Sequence, residues 1–281
     1  MSDGTRNVCG ISGGKDSSAL AIYMRDSVPD MEYFFCDTGA ELPETYEYLD
    51  RLEIVLGKPI ARLNAERGFD HWFEVYRGTL PSAQMRWCTR QMKLKPLEEW
   101  IGDQPTVSFV AIRADEQNRK GYVSSKPNIT ARFPFIEDGV DHAAVLRILD
   151  DAGVGLPEYY SWRTRSGCYF CFFQRKAEWI GLSEKHPELF ERAVAIENKV
   201  LMAAGADGDT SYEQQGARRQ FTWSQGETLP ELLERREEIL SRHDAALDRA
   251  RRNRRNIPLV EVLAKALDED DDSPPCAVCA L

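Results

Sequence analysis

The segment VCGISGGKDSSAL, residues 8–20, joins an apolar run to a helix-forming run through two adjacent glycines. The apolar run RNVCGI (6–11) reads as a short buried strand, and residues 16–26 read as the helix that follows. Between them, Gly13 and Gly14 let backbone N–H groups approach an anion without a Cβ in the way. The positive end of the helix adds to that attraction. Ser12 and Ser17 offer hydroxyl donors, and Lys15 offers a cation. Asp16 would repel a bare polyphosphate, so it either holds a Mg²⁺-bound phosphate or turns inward to fix the loop. The Walker spacing is not met: counted from Gly10, its second-glycine position holds Lys15, and counted back from Gly14, its first-glycine position holds Cys9. The expectation is a phosphate-binding strand–loop–helix of a different kind.

The surrounding pattern repeats that alternation. MEYFFC (31–36), a stretch near GKPIARLN, and TVSFVAI (106–112) read as strands, with an amphipathic helix after DTGAE and helical segments flanking Cys88. Strands alternating with helices predict an α/β fold with a doubly wound, mostly parallel sheet. Ligands in such sheets sit beyond the carboxyl ends of the strands, where the loops around Gly13, Asp37 and Arg113 would converge. Beyond about 140 the pattern turns helical: one helix closes at Gly153 and another at Gly205. Residues 205–228 read as loop, 229–256 as one arginine-dense helix, and 268–281 as an acidic tail. The expected domains are 1–165 (nucleotide-binding α/β), 166–266 (helical, with a CxxC and the arginine-rich helix) and 267–281 (tail).

The 281 residues carry a formal charge of −10, so the chain as a whole does not attract nucleic acid, and any such contact needs a local basic patch. No apolar run approaches the roughly 20 residues that cross a bilayer. The start, MSDGTRNV, lacks the apolar core of a signal peptide, which makes cytoplasmic residence the expectation. In a reducing compartment the seven cysteines point to metal or redox chemistry rather than disulfides.

SGGKDS resembles the PP-loop of the N-type ATP pyrophosphatases, which cleave ATP between the α- and β-phosphates. CDTGAELPETYEYL (36–49), MRWCTRQMKLKPLEEW (85–100), AIRADEQNR (111–119) and FPFIEDGVDHAAVLRILDDAG resemble, in order, segments of the phosphoadenylyl-sulfate (PAPS) reductase family. The third is similar to that family's Cys-x-x-x-Lys-x-x-Pro segment, although Lys93 and Lys95 leave its register loose. The resemblance implies that Ser12, Gly13, Gly14, Lys15, Asp16 and Ser17 hold the pyrophosphate end of ATP with Mg²⁺. It places Asp37, Thr38 and Gly39 beside the nucleotide, and Arg113, Glu116 and Arg119 across the cleft. Ser12, Lys15, Asp16 and Arg113 are the expected catalytic groups. Glu116 and Arg119 also read as a plain surface pair.

Cys168 and Cys171 form a CxxC in SGCYFCFFQRK, which fits half a zinc site, a redox pair or part of an iron–sulfur site. Within the resemblance, Cys88 is the third ligand of a [4Fe-4S] cluster, with zinc the lesser alternative and three unrelated cysteines the plain one. Cys9 and Cys36 read as core residues. Cys276 and Cys279 form a second CxxC, for which sulfur relay, a tail nucleophile, a fourth ligand or no function all stay open.

Arg235, Arg236, Arg242, Arg249, Arg251, Arg252, Arg254 and Arg255 concentrate positive charge in one helix. It is either a solvated helix paired with its own glutamates or a contact for nucleic acid or a partner protein. Finally, the CxxC, Trp179 and the helix HPELF followed by a glutamate resemble the ATP pyrophosphatases of bacterial DNA phosphorothioation systems (Dnd/Ssp type). That resemblance implies adenylation of a DNA phosphate, a cysteine desulfurase or other sulfur donor, and modification-complex subunits as partners. The alternatives are a sulfonucleotide reductase, a tRNA-thiolating enzyme and a nucleotide-binding assembly subunit.

Overall fold

The computed structural model describes residues 4–116, 124, 126–206, 222–224 and 226–253. Five strands form one sheet: β1 (Arg6–Gly10), β2 (Glu32–Asp37), β3 (Ile60–Asn64), β4 (Thr106–Phe109) and β5 (Ile129–Arg132). Their order is β3-β2-β1-β4-β5 and every pair is parallel. The fold is α/β, a parallel sheet with helices on its faces. On one face, α1 (Lys15–Met24), α2 (Pro43–Leu56) and a later helix bury Leu20, Leu49, Leu52 and Leu149 against Cys9, Tyr33, Phe35 and Phe109. On the other, Leu97 and Ile101 cover Val8, Phe34, Cys36 and Leu63.

Local signals set the element ends. α2 starts with a proline in its first turn and stops at Gly57, whose φ of 64° suits a residue without a Cβ. After β3 come α3 (Phe69–Val75) and α4 (Trp87–Thr89), which runs through a π-helical turn (Arg90–Leu94) into α5 (Lys95–Ile101). α6 (Pro134–Glu137) follows β5, and α7 (His142–Asp151) begins where Asp141 accepts from Ala144 N at 2.8 Å. α8 (Lys176–Lys185), α9 (Pro187–Ala206), α10 (Leu229–Glu234) and α11 (Arg236–Asn253) complete the chain's described helices. A third apolar cluster, with Phe69, Trp87, Phe170, Trp179, Phe190, Trp223 and Leu232, ties α3 and α4 to α8, α9 and α10.

Four sequence expectations change. Cys88 lies inside α4 rather than between helical segments, because Trp87 buries into the third cluster and carries that turn with it. The strand expected over 106–112 ends at Phe109, and 110–112 continue as buried loop. The helix expected to close at Gly205 extends to Ala206. The single helix expected over 229–256 is two, α10 and α11, separated at Arg235. There the arginine side chain turns to Glu227 and Glu238. The tail and Cys276, Cys279, Arg254 and Arg255 lie outside the described residues. Among the described residues no helix is long and apolar enough to cross a membrane.

Candidate functional site

The strand order reverses between β1 and β4, and the loops leaving two such strands part to open a crevice. The loop after β1 and the loop after β4 meet at that point. Arg113 Nη1 lies 3.0 Å from Asp16 Oδ1, and its Nε lies 2.9 Å from Asp115 Oδ1. Burial opposes the Arg113 charge, but Asp16, Glu116 and Asp115 outweigh it and raise the guanidinium above its ordinary range. Glu116 accepts from Arg113 N at 3.1 Å, so its neighbour is Arg113. Arg119, the other expected member of that group, lies outside the described residues.

The turn at Gly13–Gly14 is lined with hydroxyls. Ser166 Oγ donates to Ser12 Oγ at 3.1 Å, Ser12 Oγ and Ser17 Oγ are 3.0 Å apart, and Ser12 N donates to Ser17 Oγ at 3.0 Å. Gly14, the N-cap of α1, has no side chain to satisfy the first amides of the helix, and Lys15 N donates instead to the Tyr160 hydroxyl at 3.1 Å. The Tyr159 hydroxyl donates to Gly13 O at 2.7 Å. Glycine is required here by crowding. Gly13 has φ 74°, and a Cβ on it would meet Thr45 Cγ2 at 2.6 Å; one on Gly14 would meet Ser166 Oγ at 2.9 Å. Lys15 is buried, with Nζ 3.5 Å from Asp16 Oδ2. Burial works to lower its pKa, yet Asp16, Tyr160 and Glu116 together hold it above the ordinary lysine value. Asp16 turns toward Lys15 and Arg113.

The loop after β2 carries the second group. Asp37 Oδ1 accepts from Gly39 N and from the Tyr46 hydroxyl, both at 2.8 Å, an Asx-type turn that fixes the loop. Thr38 Oγ1 donates to Glu41 Oε1 at 2.8 Å and lies 3.1 Å from Cys168 Sγ. Glu41 is buried and its carboxyl is pushed above the usual carboxylate range by that burial. Cys168 Sγ in turn approaches Glu41 Oε1 at 3.7 Å, and Tyr169 N donates to Ala40 O at 2.8 Å. The CxxC is therefore seated directly on the loop after β2.

Cys171 acts electrostatically on both Cys88 and Cys168, and Glu41 on Cys168. Burial pushes the Cys88 thiol up to about 11 and Cys168 well above its ordinary value, while Lys93 opposes both shifts. Three thiols suit iron or zinc as donors. Among the described residues, however, no three His, Cys, Asp or Glu side chains are drawn together tightly enough to hold a metal as they stand. Cys9 and Cys36 are buried in strands, as expected of core residues.

The π-turn resolves the loose register of this segment. Here Cys88 and Lys93 are separated by four residues where the resembled pattern has three. One extra residue in a helix is what a π-turn absorbs. Lys93 keeps its place before Leu94-Lys95-Pro96, and its carbonyl accepts from Cys36 Sγ at 3.5 Å.

Sequence reasoning did not single out Glu41, Tyr159, Tyr160 or Ser166. Glu41 gave one signal, a carboxylate between apolar positions in GAELP. The hydroxyls from 159–166 gave none, since their partners lie 145 to 154 residues away. The HPELF segment and the glutamate after it hold the architecture. His186 Nε2 is 2.9 Å from Glu44 Oε1, and buried Glu197 accepts from Trp223 N at 2.9 Å and Leu229 N at 2.8 Å. In the first half of the arginine-rich region, Arg235 pairs with Glu227 and Glu238, Arg236 with Glu184, and Arg242 with Glu238.

Two uncharacterised proteins of Methanocaldococcus jannaschii are each 28% identical to this chain, over 209 and 194 residues, covering 70% and 64% of it. The chain spans only 48% and 39% of their lengths. An uncharacterised 37.8 kDa protein of Escherichia phage 186 is 23% identical over 274 residues, covering 75% of this chain and 80% of that protein. Among solved structures, a phosphoadenylyl-sulfate reductase from Candida auris in phosphate complex superimposes with TM-score 0.47 at 12% identity, covering 58% of this chain and 81% of that one. The U34-tRNA thiolase NcsA from Methanococcus maripaludis with its [4Fe-4S] cluster gives 0.40 at 12%, covering 69% and 71%. The hydroxyl-lined turn, the Arg113 loop, Glu41 and Cys88 all fall within residues 6–130, the segment that matches the family model of the phosphoadenosine phosphosulfate reductase domain.

Proposed function

We propose that this chain is a PP-loop ATP pyrophosphatase that adenylates a phosphate oxygen on nucleic acid for sulfur incorporation, with DNA phosphorothioate modification as the specific reaction. The carrying observation is the hydroxyl-lined turn at the switch point, with Lys15, Asp16 and Arg113 beside it and the CxxC joined to its neighbouring loop through Thr38. In this reading a non-bridging oxygen of the substrate attacks the α-phosphorus of Mg-ATP. The new P–O bond forms as the bond to the β-phosphate's bridging oxygen breaks, and pyrophosphate leaves with that electron pair. Hydrosulfide from a donor then attacks the adenylated phosphorus of the substrate; the P–S bond forms as the P–O bond to AMP breaks, and AMP leaves with that electron pair. Ser12, Ser17 and the amides of the turn bind the departing diphosphate, and Lys15 and Arg113 stabilise the charge that develops on it. Arg113 can grip two oxygens at once through its planar fork.

Cys88, Cys168 and Cys171 are the donors on which a [4Fe-4S] cluster would be carried, zinc being the lesser alternative. Such a cluster, with one iron open, would supply a holding place for sulfur. The arginines beyond Arg242 are the proposed contact for nucleic acid, and the sulfur donor and further subunits are the proposed protein partners.

The test is incubation with Mg-ATP and duplex DNA, reading pyrophosphate and AMP. Both products are expected. Ser12→Ala and Asp16→Asn are expected to reduce their formation by about 100-fold or more while circular dichroism stays unchanged. Full pyrophosphate release by either folded variant would overturn the assignment. The match of residues 6–130 favours a second reading, a sulfonucleotide reductase. Sulfite release from an adenylyl sulfate with thioredoxin, without pyrophosphate from ATP, would establish it instead.

A further inference from the structure

Three of the hydroxyls at the turn, those of Tyr159, Tyr160 and Ser166, come from beyond the segment that matches the family model. Tyr160 and Ser166 lie on a strap between α7 and α8, and both reach the turn at Gly13–Gly14. We propose that Tyr160 and Ser166 form a second wall of the cradle, bind diphosphate oxygens directly, and make cradle occupancy felt at Cys168. The proposal rests on reading that turn as a diphosphate site.

Ser166 is 5% exposed, and its Oγ reaches Ser12 Oγ at 3.1 Å. The room it occupies exists because residue 14 is glycine. A hydroxyl rotor can turn from a neutral serine partner toward a phosphate oxygen. The charge-assisted bond it then makes is the stronger of the two. The Tyr160 hydroxyl accepts from Lys15 N, the amide that an anion at this helix terminus would claim, and its own proton stays available to donate. Its ring also sits 5.4 Å from Lys15 Nζ, so an oxygen held by the lysine lies within reach of the same side chain.

The strap is stiff between this wall and the thiol. Buried Arg163 donates from Nη1 to Gly167 O at 3.0 Å and from Nη2 to Cys168 O at 2.9 Å. Tyr169 N is bonded to Ala40 O. A shift of Ser166 toward a phosphate therefore pulls on Gly167 and Cys168 rather than dissipating in a loose loop.

The experiment is equilibrium binding of inorganic pyrophosphate with Mg²⁺ to the full chain and to its Ser166→Ala and Tyr160→Phe variants. Each variant is expected to bind about tenfold more weakly or worse, the effect of one charge-assisted hydrogen bond. Pyrophosphate is also expected to slow iodoacetamide alkylation of Cys168 in the unmodified chain and to lose that effect in Ser166→Ala. A merely structural Ser166 would not move this second readout. Should Tyr160→Phe fail to fold, Ser166→Ala decides alone. Unchanged pyrophosphate affinity in the folded variants overturns the second wall and leaves the cradle standing. An unmodified chain that binds no pyrophosphate removes both.

Discussion

Gly13 is caught between two constraints that a single methyl group would violate together. Its φ of 74° lies where L side chains are strained, and the Cβ of an alanine there would stand 2.6 Å from Thr45 Cγ2. Gly13→Ala is expected to cost about 2–4 kcal/mol in urea unfolding, combining backbone strain with overpacking. Adding Thr45→Ser removes the offending methyl and should recover part of that loss, the strain remaining. Full additivity of the two changes would show that the clash is not what makes Gly13 necessary. A second residue-level expectation concerns Glu178, whose carboxylate accepts from Thr164 N at 2.8 Å, Thr164 Oγ1 at 2.7 Å and Arg175 N at 3.1 Å. Burial alone would raise its pKa, but Arg165, Arg163, Thr164 and Arg175 overcome that and hold it below the usual carboxylate range. A depressed carboxyl stabilises the fold fully above its unfolded value near pH 4.3 and loses that contribution as pH falls through the lower folded value. Unfolding followed from pH 7 down to pH 3 should therefore show an acid-side decline that is shallower in Glu178→Gln. That variant should also be about 2 kcal/mol less stable at pH 7. An identical acid limb in both would mean that Glu178 does not hold the strap as an ion.

The turn Arg90–Leu94 shows how one residue of extra chain is accommodated within an element. Deleting Gln91 would return this stretch to regular α-helix and, because the wider turn absorbs that residue, leave α4 in phase with α5. α5 is fixed by Leu97 and Ile101 in the core, so Cys88 would keep its facing. The deleted chain is expected to keep its iron and acid-labile sulfide after anaerobic reconstitution, whereas Cys88→Ala is expected to lose them. Loss of iron on deletion would show that the turn does not absorb the residue, and normal loading in Cys88→Ala would remove Cys88 from the proposed ligands. The π-turn also marks where sequence reading reached its limit. An off-by-one in a motif is visible in a string, but whether a bulge, a loop or a wider helical turn absorbs it depends on packing. β5 escaped for a related reason: Ile129–Arg132 is short, lies at the sheet edge and is only half-buried, so it lacks the apolar run that made β1 and β2 legible. By contrast, the strand–turn–helix at SGGKDS was legible because a crowded turn between strand and helix needs glycine within a short stretch of contiguous chain.

At the scale of the whole molecule, the proposed reading requires a polyanion to reach a chain that carries a formal charge of −10. Long-range attraction is absent, so the proposed binding would depend on a local cationic surface and on the release of counterions there. The arginines from 235 onward divide by their neighbours. Arg235, Arg236 and Arg242 are matched by glutamates on α8, on α11 itself and at Glu227, and so serve the fold. Further along, the sequence RARRNRR over 249–255 has Asp248 as its one acidic neighbour. If phosphates are the target, the triple variant Arg249→Gln, Arg251→Gln, Arg252→Gln should weaken binding to duplex DNA. It should also reduce the slope of log K against log salt by about 0.9 for each phosphate contact removed. Pyrophosphate binding at the cradle, remote in sequence and built on the sheet, should stay unchanged, which separates a lost substrate surface from a damaged enzyme. Substituting Arg235 and Arg236 instead should lower the melting temperature and leave the salt slope as it was. A triple variant with unaltered affinity and slope would mean that this helix meets a protein, or only solvent, and that nucleic acid reaches the cradle by another surface.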